Sequence, residues 1–367
     1  MGFLELKIHV GYVMSYILMA SALGFLAGLA AAAFDSRVHI ILAGLYGGLV
    51  FPLAVYTNFL TGLSLGRPRE GVEAVIFLIS ISSLLASPII LAVVGVRFYA
   101  LALLSSLSSL LIYAVIQISR PRAWRGVLTL SWLAPPASGA IYTLHLMASG
   151  GSEALKAALD SVLYISIPVP LVMAPQAVGA SIYGLGYPRG VEGFLRMLPS
   201  LAFPLSTIAS LVSGSTAPIA ASIAAYSVLM RPWKALSGRK AISSPRAYLL
   251  AVHASSLASA LAMIWTEYTG SLDLVTLAHL AFIGYLAPHA FLHSLVRGGE
   301  IPLTRRPRTW IPAPVALLMA SSLLRPAYPD LSLIAVLAAT ILHASILIST
   351  DPRDIVPRAF RTHNQTG

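Results

Sequence analysis

A chain of 367 residues with 57% apolar side chains, only 10% charged ones and a mean hydropathy of +0.82 lies far outside the composition of soluble globular domains and belongs in lipid. It has no cysteine, which excludes disulfides, thiolate metal sites, Fe–S clusters and cysteine nucleophiles and fits a thermophile that avoids labile residues. A formal net charge of +11 would suit nucleic acid, unless the basic residues gather on one side of a membrane.

A spanning helix needs roughly 20 mostly apolar residues. Runs of that kind, separated by charged or Pro/Gly-rich breaks, lie at 8–33, 38–64, 72–95, 98–119, 126–148, 161–185, 198–213, 216–230, 247–268, 272–296, 311–325 and 331–350. They predict an all-α, polytopic membrane helix bundle of about twelve spans. The first run, at about 25 residues, exceeds the apolar region of a cleaved signal, so an uncleaved first span is expected.

Loop charge orients the bundle. With the N-terminus inside, only Arg37, Arg97, Lys156 and Arg325 of the 24 Lys and Arg residues fall outside, as the bias of cytoplasmic loops requires. The basic balance is therefore topological, and no nucleic-acid partner is expected. Residues 1–350 read as one transmembrane domain in a prokaryotic cell membrane with both termini cytoplasmic. Residues 351–367 read as a polar cytoplasmic tail.

Ionisable side chains deep in a membrane are costly and mark function. The carboxylates fall at the ends of the runs, without the buried Asp or Glu that a proton-coupled transporter carries. The deep groups are histidines. At 1.5 Å of rise per residue they form two layers. His39, His145 and His279 lie near the outer face, His253, His289 and His293 near the inner one, and His343 near the middle of the last run. His9 and His363 read as solvated or interfacial.

Neutral imidazole ligates haem iron or copper in an apolar bundle without burying a formal charge. His279 and His289 are ten residues apart in one run, about 15 Å along a helix, which suits one centre near each surface. For any single histidine the alternative is a hydrogen bond to a neighbouring helix. Pro288 lacks the N–H that would bond the Gly284 carbonyl, so a kink is expected beside His289. The stretch from Ser166 to Gly186, with Pro168, Pro170 and Pro175, reads as a second irregular helix.

Four places carry a family resemblance. HIILAGLYGGLVFPLAVYTNFLTG from His39, RAYLLAVHASSLA around His253, HLAFIGYLAPHAFLHSLVRGGEIPLTRR from His279, and the Leu-Leu-Arg ending at Arg325 before a final helix follow one another as in the NnrS family. The chain resembles these bacterial and archaeal twelve-helix membrane proteins, which contain haem and copper and are linked to nitric oxide tolerance. His39, Gly44, His253, His279, Gly284, Arg297 and Arg305 match the pattern. Arg37 and Ile40 depart from it, the family histidine after the tenth helix is missing, and His289 and His293 have no counterpart.

The resemblance implies a haem-binding membrane protein that meets a diatomic gas or an electron donor at histidine-ligated iron, with copper as a second metal. The candidate cofactor residues are His39 with His279 as an outer axial pair and His253 with His289 as an inner one, with His145 and His343 in reserve. Five-coordinate iron would favour gas binding and bis-histidine iron electron transfer. Two other readings stay open: a twelve-helix transporter or permease with a His-lined polar path, and an assembly partner in a respiratory complex.

Overall fold

The structure is a computed structural model and describes residues 7–8, 10–31, 34–62, 69–119, 127–150, 153–175, 190–235, 244–295 and 312–348. These residues are almost entirely helical. In chain order the helical stretches are α1 (Val10–Ala31), α2 (36–62), α3 (Gly71–Val93), α4 (Val96–Ile118), α5 (127–148), α6 (154–173), α7 (Gly190–Ser213), α8 (Ala217–Leu229), α9 (Ser244–Tyr268), α10 (274–295), α11 (Ala313–Leu324) and α12 (Pro329–Ile348). A two-residue antiparallel bridge pairs β1 (Lys7–Ile8) with β2 (Arg69–Glu70), Lys7 facing Glu70.

Eight stretches among the described residues are long and apolar enough to cross a bilayer: Arg37–Thr61, Gly71–Val93, Val96–Ile118, Ala154–Met173, Gly190–Ser213, Ala247–Tyr268, Leu274–Leu292 and Pro329–Ile346. The chain is thus a multi-pass helical membrane bundle. Its lipid face is plain on α12, where Leu331, Leu333, Ile334, Leu337 and Ile341 are exposed, as apolar side chains are where acyl chains replace water.

Two helices start earlier than the apolar runs suggest. α6 begins at Ala154 rather than 161, and α7 at Gly190 rather than 198. In each, a pair spaced i,i+4 carries charged residues inside the helix: Lys156 with Asp160 at 2.5 Å and Arg196 with Glu192 at 2.6 Å. Such pairs satisfy each other along one face, so the helix continues through residues that hydropathy reads as a break. The expected irregular stretch to Gly186 is described only to Pro175. The rest of it, with Arg297, Arg305, His9, His363 and the tail 351–367, lies outside the described residues.

The chain forms two compact units, one of residues 1–173 with 200–219, the other of 174–199 with 220–367. In the first, α1 packs on α2 through small residues: a Cβ on Gly28 would stand 2.4 Å from the Ala43 amide nitrogen, so only glycine permits that backbone approach. Its buried tyrosines each reach a hydrogen-bond partner, as buried phenols usually do. Tyr99 donates to Ser161 at 2.6 Å, Tyr142 to the Ala157 carbonyl at 3.1 Å, and Tyr113 pairs with Thr61 at 2.9 Å. In the second unit, α9 packs on α10 and α11 at Gly284, where an added Cβ would lie 1.9 Å from Ser259 Oγ and 2.8 Å from Ser322 Oγ.

Proline shapes the helices by one rule. A proline cannot donate to the carbonyl four residues earlier, and in a membrane that carbonyl has no water to turn to. Three such carbonyls receive a hydroxyl instead. Ser87 donates to Leu84, the carbonyl that Pro88 leaves, at 2.8 Å. Tyr56 donates to Trp132, left by Pro136. Ser255 donates to Gly284, left by Pro288, at 2.6 Å.

Three π turns inside longer helices, Tyr46–Val50, Val162–Ser166 and His279–Leu286, each end two residues before a proline: Pro52, Pro168 and Pro288. Widening the turn opens room for the pyrrolidine ring. At Pro288 the expected kink is thus a widened turn with a substitute donor.

Candidate functional site

The second unit gathers aromatic and imidazole side chains where α8, α9 and α10 meet. Tyr226 comes from α8, His253 from α9, and Tyr285 and His289 from α10; all four are buried. The ring centroids of His253 and His289 are 6.2 Å apart with perpendicular planes. Tyr226 touches both, at 5.1 Å from His253 and 5.7 Å from His289, and meets Tyr285 edge-on at 6.4 Å.

Hydrogen bonding fixes the tautomer of His289. Its Nδ1 lies 2.8 Å from the Tyr285 carbonyl, which only accepts, so Nδ1 carries the proton and Nε2 the lone pair. The Tyr226 hydroxyl, 3.0 Å from Nε2, then donates to it. Both nitrogens of His289 are occupied, so it sits neutral in the apolar interior.

His39 and His279, in different units, also tie Nδ1 to a backbone carbonyl, His279 within its own helix and His39 across to α1. Nδ1 of His39 donates to the Gly28 carbonyl at 2.9 Å, and Nδ1 of His279 donates to the Val275 carbonyl at 2.9 Å. In the neutral ring this bond places the lone pair on Nε2. Both side chains are half-buried. The backbone bond at one ring nitrogen is how metal-ligating histidines are commonly oriented.

The other candidates stand apart. His343 on α12 stacks on Phe291 of α10, with ring centroids 3.9 Å apart and planes within 8°, which gives it a packing role. His145, near the C-terminal end of α5, is exposed. Among the described residues no three His, Cys, Asp or Glu side chains group as a metal cage.

The inner pair can be tested against haem. A macrocycle ligated by both His253 and His289 would spread from between their rings into the space of Tyr226, which packs beside both, and Nε2 of His289 already accepts the Tyr226 hydroxyl. A bis-histidine haem does not fit this packing. The orientation of His39 and His279 does suit imidazole ligation through Nε2.

Tyr226 and Tyr285 are the site residues that sequence reasoning misses. The available signal is general: a tyrosine inside an apolar run usually finds a polar partner. Tyr285 precedes His289 by one helical turn, so its carbonyl is in reach of Nδ1. Ser255 is missed likewise, although Pro288 announces that the Gly284 carbonyl needs a donor.

Fold and site together define a multi-pass helical membrane protein with backbone-oriented histidines and a His–Tyr–His cluster. No family model, curated protein or solved structure matches this chain.

Proposed function

We propose that this chain is a haem-binding integral membrane protein similar to the NnrS family, with His39 and His279 as iron ligands and a role in nitric oxide response or electron transfer. The single observation behind the reading is the shared geometry of these imidazoles, Nδ1 tied to a backbone carbonyl and Nε2 left with the lone pair. Bound iron would supply an open coordination position for a diatomic gas, or a relay for one electron. The chain's own contribution is to orient both rings through Nδ1. Copper is the second metal of the proposal, and His253 and His289 enter it only if the Tyr226 hydroxyl gives up Nε2 of His289.

All twelve helical stretches cross the cell membrane in this reading, with both termini in the cytoplasm, as the placement of Lys and Arg requires. Because the chain has no cysteine, single introduced cysteines report topology directly. Ser149→Cys should react with an impermeant maleimide on intact cells, and Ser119→Cys should react only after lysis. The reverse pattern would invert the orientation.

A second reading, a transporter with a His-lined polar path, is favoured by the buried hydroxyls of Ser255, Ser256 and Ser259 on α9, which put polar groups beside His253 in the membrane interior. The reduced-minus-oxidised absorption spectrum of the purified protein, with added haem and with nitric oxide on the reduced sample, separates the two. A haem band that shifts with nitric oxide and is lost in His39→Ala or His279→Ala supports haem binding. A colourless protein that takes up no haem removes that reading and puts the transporter first.

A further inference from the structure

The second unit holds a charged cluster remote in chemistry from the histidines. Glu192, in the first turn of α7, accepts on one carboxylate oxygen from two arginines: Arg196 Nη2 at 2.6 Å and Arg231 Nη1 at 3.2 Å. Two guanidinium groups on one carboxylate give this trio a net positive charge among the described residues. The Arg196 side chain is only 7% exposed, and its buried Nε has no hydrogen-bond partner among the described residues. Arginine presents its donors as a planar fork for two oxygens, and here half of the fork is unused.

The surroundings favour an oxyanion. The first turn of α7 adds backbone N–H groups and the positive end of the helix dipole. Arg231 closes α8 with a φ of 50°, a conformation that residues with a Cβ rarely adopt, and its side chain is 40% exposed, within reach of a ligand at the membrane edge. Trp233 follows, half-exposed, as tryptophans are at headgroup level.

We infer that Arg196, Arg231 and the first turn of α7 form a binding site for a phosphate group, either the headgroup phosphate of an anionic lipid or free phosphate. The phosphate takes the unused Nε donor of Arg196 and a donor of Arg231, and the Glu192 carboxylate moderates its affinity by competing for both arginines. The inference is independent of the haem proposal.

The test uses the purified full chain in detergent, titrated with phosphatidylglycerol, with diacylglycerol as the phosphate-free control, and with inorganic phosphate, and followed by native mass spectrometry and thermal shift. Retention of phosphatidylglycerol over diacylglycerol is expected. Stabilisation by inorganic phosphate as well identifies a free-phosphate site; retention of the lipid alone identifies a headgroup site. Arg231→Gln should lower affinity about tenfold, the loss of one charge-assisted hydrogen bond, and Glu192→Gln should raise it. Because Arg196 is buried and Arg196→Gln endangers folding, Arg196→Lys is the companion variant: it keeps the charge beside Glu192 and removes the fork, and should weaken binding. Equal retention of phosphatidylglycerol and diacylglycerol with no response to phosphate overturns the inference, as does unchanged affinity in both Arg231→Gln and Arg196→Lys.

Discussion

The Tyr226 hydroxyl on α8 donates to Nε2 of His289 on α10 at 3.0 Å, so two helices are joined by a bond between neutral side chains inside the membrane. Tyr226→Phe keeps the ring contacts to His253 and Tyr285 and removes only the donor. The stranded imidazole nitrogen then costs roughly 1–3 kcal/mol. Thermal unfolding in detergent should show the loss, and His289→Leu combined with Tyr226→Phe should cost less than the two changes summed, since neither partner is then left unpaired. An unchanged midpoint for Tyr226→Phe would mean that the bond contributes nothing.

Gly28 and Gly44 offer a matched pair on helices that touch. A Cβ at Gly28 would meet backbone atoms of Ala43 at 2.4 Å, whereas one at Gly44 would meet nothing within 4 Å. Backbone cannot rotate away, so Gly28→Ala should destabilise by about 1–3 kcal/mol and pull the Gly28 carbonyl from Nδ1 of His39. Gly44→Ala should be neutral or stabilising by up to about 1 kcal/mol through helix propensity. Chemical denaturation of the two variants side by side checks the contrast, and similar losses in both would contradict it.

How far the sequence could be read depends on which signals are local. Apolar runs are local, and they locate the helices; they mislead at Lys156–Asp160 and Glu192–Arg196, where ion pairing inside a helix resembles a loop. Pro288 is local too, and it marks the disturbed turn, yet the donor that repairs it, Ser255, lies 29 residues earlier in the chain. The inner pair His253 and His289 was legible as two deep histidines at one level. Tyr226, which packs beside both of them, was not, because nothing in its own helix states which neighbour its hydroxyl meets.

Asp273 caps α10, accepting from the Thr276 amide at 2.6 Å. That bond, with the positive charge of Arg325 as a lesser cause, holds its carboxyl below the usual carboxylate range. A carboxyl depressed in the folded state stabilises fully above its unfolded pKa, near 3.9, and the contribution disappears as pH falls through the lower folded value. Asp273→Ala should therefore cost about 1 kcal/mol at neutral pH and flatten the acid limb of the stability profile, whereas Asp273→Asn should keep most of the cap. A wild-type and Asp273→Ala difference that persists unchanged at pH 2 would refute the titration argument.

The repair of the Gly284 carbonyl can be tested by restoring what proline removes. Ser255 donates to that carbonyl at 2.6 Å because Pro288 cannot, so Ser255→Ala leaves a buried acceptor unpaired at a cost of roughly 1–3 kcal/mol. In a Pro288→Ala background the new N–H can close the ordinary helical bond to Gly284, and the widened turn loses one reason to exist. Ser255→Ala should then cost much less than in the wild type, a coupling of about 1 kcal/mol or more measured by a double-mutant cycle on thermal stability. Strict additivity would show that the serine does not substitute for the missing amide. Gly284→Ala separates packing from hydrogen bonding, since its Cβ would collide with Ser259 Oγ at 1.9 Å while leaving the carbonyl in place. It should be rescued by Ser259→Gly and not by Pro288→Ala.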